Sequence, residues 1–132
     1  MAGEPNWLDL QRVLAIHQRQ IARFGGGEGV RDLGLIESAL ARPQHLFFYE
    51  GEDDVLALAV RLGIGLAMNH GFVDGNERTG AVAMIAFLAL NGWRLEMPAN
   101  DETLRRWFEA VIEGGIREDE LAEAIAPFLS PI

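Results

Sequence analysis

Residues 55–90 read VLALAVRLGIGLAMN (55–69), HGFVDG (70–75) and NERTGAVAMIAFLAL (76–90) in succession. The first and third stretches are apolar on nearly every face, the pattern of helices buried all round. Asp53 or Asp54 offers the first an N-cap, and Asn91-Gly92 closes the second. Arg61 and Arg78 interrupt the apolar runs well short of the roughly 20 residues a membrane span needs, so these are core helices. Gly63 and Gly65 each cost about 1 kcal/mol of helix propensity relative to Ala, which points to close backbone packing there. Two buried helices joined by a short polar loop place an all-α fold around that loop.

Outward from this pair the helical period continues. Leu10, Val13, Leu14, Ile21 and Phe24 mark one face of a helix that Gly25-Gly26-Gly27 stops. Asp32 caps a short helix to Ala41, which Arg42-Pro43 is expected to end because the residue before proline avoids helical geometry. Gln44 to Asp53 lacks periodicity and is expected to be an exposed connection or hairpin-like flap displaying His45, Phe47, Phe48 and Tyr49, the expected contacts of a target or partner protein. Trp93 to Pro98 reads as extended. Asn100 or Asp101 caps a helix to Glu113, and a last helix runs from Glu118 to Ala126, ended by Pro127. No run of strands supports a sheet. The expected architecture is a compact six-helix bundle, all-α, with residues 1–132 forming a single domain.

Composition narrows the function classes. The absence of cysteine removes disulfides, thiolate metal sites and cysteine nucleophiles, and fits a cytoplasmic location. The first six residues carry neither a basic region nor an apolar run, so no signal peptide is expected. With 20 acidic against 11 basic residues the net charge is −9, a surface that repels phosphate backbones, so neither nucleic acid nor membrane is an expected partner.

The loop between the central helices carries the chemistry. A helix N-terminus presents unpaired backbone N–H groups and a positive dipole end, so the amides from Gly75 to Arg78 form an anion site, and Gly75 lets the backbone approach a phosphate. Arg78 adds a cationic fork. Asp74 is a hard oxygen ligand of the kind Mg²⁺ takes together with nucleotide phosphates. His70, with an unperturbed pKa of about 6.5, suits a general base for a hydroxyl. Taken singly, each residue has an ordinary role: Asp74, Gly75 and Asn76 are good turn and cap residues, Phe72 and Val73 can anchor a core, and His70 can close a helix. Their combination within nine residues is what points to function.

The pattern His70-x-Phe72-x-Asp74-Gly75-Asn76-x-Arg78 resembles the signature of the Fic/Doc (Fido) superfamily, and its short loop with Asp74 resembles Doc more than Fic. The resemblance extends upstream through residues 29–44 and to Trp7-Leu8, in the manner of death-on-curing toxins. It implies a Fido-type bundle in which His70 deprotonates a target hydroxyl, Asp74 holds Mg²⁺ and Phe72 anchors the loop. The nucleotide's phosphates would lie on Gly75, Asn76, Glu77, Arg78 and Thr79. Doc members are toxins that phosphorylate elongation factor Tu with a nucleoside triphosphate such as ATP and are neutralised by a Phd-type antitoxin, whereas Fic members transfer AMP. By the same resemblance, Gln44 to Asp53 would be the flap that aligns the target chain.

Three departures bear on mechanism. Glu77 stands where Doc proteins carry Lys and Fic proteins Gly, so a carboxylate replaces a cation or an open anion hole; pointing inward it would repel a phosphate about 4 Å away by about 4 kcal/mol at an effective dielectric near 20, and pointing outward its effect would be small. As a first-turn acid, Glu77 also favours the helix dipole. Gly71 replaces a frequent proline and is expected to loosen the loop. Ala81 occupies the place of the second arginine of Fic AMP-transferases, which ranks phosphoryl transfer above AMP transfer. The sequence lacks the Ser/Thr-x-x-x-Glu-Gly/Asn inhibitory helix of Fic proteins. The leading expectation is a Doc-like kinase toxin, with an AMP transferase or a domain silenced by Glu77 and kept as a binding module as alternatives.

Overall fold

The computed structural model describes residues 3–132. In chain order these form α1 (Leu10–Phe24), α2 (Leu33–Glu50), α3 (Val55–Asn69), α4 (Asn76–Leu90), β1 (Trp93–Leu95), α5 (Glu102–Ile112), α6 (Glu118–Ile125), a 3₁₀ turn (Ala126–Phe128) and β2 (Leu129–Pro131). Four helices begin on aspartate. Asp9 accepts from the N–H of Arg12, Asp32 from Leu35, Asp54 from Leu56, and Asp101 from Thr103 and Leu104, at 2.8–3.3 Å. Each such cap is worth about 1 kcal/mol, so part of the negative charge serves to start helices.

α3 and α4 pack against each other at the centre, with α2 beside α3, α1 beside α4, and α5 and α6 closing the far side of α3. Their shared surface is dry: Leu58, Leu62, Met84, Phe87 and Phe108 are fully or almost fully buried. The two central helices meet backbone to backbone. A Cβ on Gly63 would lie 2.9 Å from the carbonyl oxygen of Gly80, and a Cβ on Gly80 would strike the carbonyl of Gly63. The helix propensity lost at Gly63 is therefore exchanged for close contact. Gly65 lies against Ala39 of α2 at ordinary van der Waals distance.

Two expectations about elements are corrected. α2 does not stop before Pro43 but runs on to Glu50, with Gly51 as its left-handed C-cap. Pro43 is buried, and Leu46 and Phe47 beyond it pack on the core, so tertiary burial outweighs the one hydrogen bond that proline removes. Residues 44–50 are therefore helix rather than flap. The chain also ends in a short antiparallel pair, Trp93 with Pro131, Arg94 with Ser130 and Leu95 with Leu129. Three-residue strands are too short to show a period-2 pattern. The six helices nonetheless make the fold all-α, and no helix among the described residues is long and apolar enough to cross a membrane.

Candidate active site

The loop between α3 and α4 is shaped from within by Asn76 and from without by the α1–α2 connection. Asn76 accepts from the backbone N–H of Phe72 at 3.0 Å and donates to its carbonyl at 3.1 Å, clamping the turn shut. Phe72 is 1% exposed, as an anchor requires. Its ring stacks on His17 of α1, with centroids 3.8 Å apart and planes within 8°. His17 is buried, as its place on the apolar face of α1 implies, and its Nε2 lies 2.8 Å from the carbonyl oxygen of Asp74. Because a carbonyl only accepts, the hydrogen sits on Nε2. Gly75, at φ 74°, makes the turn into α4.

Residues 25–32 lie along the loop's other side. Val30 forms an antiparallel bridge with Phe72, Val73 donates to Gly29, and Arg31 and Asp32 both donate to the carbonyl of Gly71 at 2.8 and 2.9 Å. The Arg31 side chain donates to the carbonyl of His70 at 2.8 Å. Gly71 is thus buried and pinned rather than loose, and a Cβ there would strike Ile36. The segment beside the motif is this one and not Gln44–Asp53. His45, Phe47, Phe48 and Tyr49 sit on the last turns of α2, where Phe47 packs edge-on against Trp7 while Phe48 and Tyr49 stay exposed, and none of the four lines the cleft described next.

An open cleft of about 450 Å³ is lined by His70, Val73, Asp74, Gly75, Asn76, Glu77, Arg78 and Arg105. His70 closes α3 in the left-handed conformation (φ 53°), which turns the chain sharply and leaves the residue exposed at the cleft mouth. At the other wall, the first bond of α4 runs from Thr79 N–H to Gly75, so the amides of Asn76, Glu77 and Arg78 have no partner within the helix. Asp74 is exposed. Its Oδ1 accepts from the N–H of Gly75 at 2.8 Å and its Oδ2 from that of Gly27 at 3.3 Å. These backbone donors, with Arg78 and His17 nearby, hold its carboxyl below the usual range. A Cβ on Gly26 would lie 2.7 Å from Oδ2, so a larger residue there would push the carboxylate aside.

Other members of the expected phosphate-binding set are placed differently. Thr79 is fully buried and its hydroxyl has no partner among the described residues, so it belongs to the α4 core face and does not reach the cleft. The side chain of Asn76 is held by two bonds to Phe72, so it serves first to shape the turn, and its backbone N–H is open to a ligand. Arg78 lies over the Phe24 ring at 5.1 Å and donates to the carbonyl of Gly25 at 3.2 Å, with Nε buried and unpaired among the described residues. Glu77 lines the cleft. Partial burial, then the carboxylate of Glu109, push its pKa up, while Arg105 and His70 oppose the shift. Ala81 is buried and lines a neighbouring cavity together with Phe24 and Arg78.

Five contributors lie outside the motif. Gly26-Gly27 read in sequence only as a helix stop, Arg31 only as part of a resemblance, and His17 stands in α1, far from the motif in sequence. Arg105 sits 27 or more residues beyond the motif on the exposed face of α5, and no local pattern ties it to His70. Together the cleft combines an exposed imidazole, a helix N-terminus facing the same space and two carboxylates, Asp74 and Glu77. These parts suit activation of a hydroxyl beside a bound phosphate.

A family model described as the Fic/DOC family matches residues 7–88. A protein of Mycolicibacterium smegmatis named Toxin Doc is 39% identical over 111 residues, covering 80% of this chain and 82% of that protein. A protein of Escherichia phage P1 named Protein kinase doc is 32% identical over 82 residues, covering 62% of this chain and 65% of that protein.

Proposed function

The chain belongs to the Fic/DOC family, and from that premise we propose that it is a Doc-like toxin of a type II toxin–antitoxin pair, transferring a phosphoryl group from a nucleoside triphosphate to a Ser/Thr hydroxyl of a translation protein such as elongation factor Tu. The observation that carries this reading is that His70 and the N-terminus of α4 open onto one cleft. The imidazole of His70 takes the proton of the target hydroxyl. The hydroxyl oxygen bonds to the γ-phosphorus as the bond from that phosphorus to its bridging oxygen breaks, and the nucleoside diphosphate leaves. The amides of residues 76–78 receive phosphate charge, which is most of what phosphoryl transfer asks of a protein.

Asp74 is an exposed carboxylate with lone pairs left over after its two backbone bonds, which fits an ion held by one carboxylate and otherwise by phosphates and water. Asp74 would hold Mg²⁺, which neutralises phosphate charge when bound. Residues 25–32, paired with the loop, take the flap's role of aligning the target chain. A relative named Toxin Doc supports an antitoxin as the restraining partner, of the Phd type that the resemblance implies.

Ala81 in the place of a second arginine favours phosphoryl over AMP transfer. A second reading, a silent domain that only binds partners, draws on the carboxylate of Glu77 in the cleft. The test is label transfer into bacterial lysate from ATP labelled on the γ- or the α-phosphate, using the wild type, His70→Ala and Glu77→Lys. The kinase reading expects γ-label transfer that His70→Ala reduces by about 10²–10⁴-fold, the range of a general base, with thermal stability retained. Transfer of α-label would establish AMP transfer instead. Silence of the wild type with activity in Glu77→Lys would establish the silenced domain, and undiminished transfer by His70→Ala would overturn the assignment of the base.

A further inference from the structure

The cleft contains one guanidinium that neither the loop nor α4 supplies. Arg105 projects from α5, outside the span matched by the family model, and lines the cleft with His70, Asp74, Gly75 and Glu77. Its position is fixed by its own helix. Nε and Nη2 donate to Glu102, one turn earlier, and Nη1 donates to Glu109, one turn later, at 2.7 Å. A guanidinium carries five N–H donors. Three are used in these bonds, so two remain, on a side chain that is half exposed and already ordered.

The charges at the cleft explain why such a group matters. The lining residues Asp74 and Glu77 are acidic and Arg78 is basic, so Arg105 is the second guanidinium of a lining that carries two carboxylates. Arg78 is partly engaged, by the carbonyl of Gly25 and the face of Phe24. On the reading above that this cleft binds phosphates, we propose that Arg105 is a phosphate-binding residue of the site, supplying from α5 the positive charge that Glu77 withholds from the start of α4. Glu102 and Glu109 hold the guanidinium fork rather than fill it, and an ordered fork loses less entropy when it meets a phosphate.

The test is calorimetric titration of the wild type, Arg105→Gln, Glu77→Lys and the double variant with ATP and with inorganic tripolyphosphate. Loss of one charge-assisted contact should weaken both ligands by about tenfold or more in Arg105→Gln. Adding Glu77→Lys to that variant should restore binding, because a cation returns at the other wall. The substituted side chain lies on an exposed helix face where ion pairs contribute little, so Arg105→Gln is expected to keep its melting temperature. Wild-type affinity in Arg105→Gln overturns the assignment while leaving the phosphate-site reading intact. Failure of the wild type to bind either ligand overturns that reading, and this assignment with it.

Discussion

His17 holds Asp74 by its backbone: Nε2 donates to the Asp74 carbonyl at 2.8 Å, although 57 residues separate the two. The side chain of Asp74 is thereby left for the cleft while its main chain is tied to α1. The ring's second contact, stacked on Phe72, fixes the other end of the same turn.

His17→Phe keeps the stacked ring and removes the donor, leaving a partly buried carbonyl unpaired. The expected loss is about 1–3 kcal/mol. Urea unfolding measures it, and a loss below about 0.5 kcal/mol, the range of neutral surface changes, would mean that the hydrogen bond does not hold the loop.

Gly26→Ala and Gly29→Ala form a matched pair. Both residues have positive φ, 119° and 96°, so an alanine is strained at either by about 1–3 kcal/mol. Only at position 26 does the new methyl meet Asp74; nothing lies within 4 Å of a Cβ at position 29. Both variants should melt earlier, and Gly26→Ala alone should lose the Mg²⁺-dependent part of any ATP-induced thermal shift. An equal Mg²⁺ response in the two would show that Gly26 does not position the carboxylate.

Asp74 and Glu77 should bend the pH profile of stability in opposite senses. The backbone donors of Gly75 and Gly27 lower the pKa of Asp74, so its contribution is present above the ordinary value of 3.8 and is lost as pH falls through the lower folded value. Burial raises that of Glu77, so its ionised form opposes folding above the folded value, and the penalty fades as pH falls through that value and is gone below the ordinary 4.5. Near neutral pH, Asp74→Asn should melt below the wild type and Glu77→Gln above it. Both differences should shrink in acid, that of Glu77→Gln at the higher pH. A Glu77→Gln variant less stable than the wild type at pH 7 would show that the helix dipole outweighs burial.

Periodicity sufficed for the central pair because α3 and α4 are apolar on nearly every face and capped by local residues, Asp54 and Asn91. It failed at Pro43, where the local signal for a break was real but the burial of Leu46 and Phe47, contacts distant in sequence, outweighed it. The same divide runs through the site. Phe72, Gly75 and the exposure of His70 follow from positions inside the motif. The burial of Thr79 and the diversion of the Asn76 side chain depend on which way α4 faces, and the roles of Gly26, Arg31 and Arg105 depend on segments brought together only by the tertiary fold.

The ties that shape the loop reach across the chain: His17 to Asp74, Arg31 to His70, and Gly25 to Arg78, over 57, 39 and 53 residues. A nascent chain that has not yet released α4, or a fragment that has lost α1, contains the motif as text but not as a shaped site. Whatever this cleft does is therefore withheld until synthesis has passed residue 78 and the first helix has docked. For a protein read as a toxin, the ribosome that makes it is spared at least until residue 78 has joined the chain and the first helix can reach the loop.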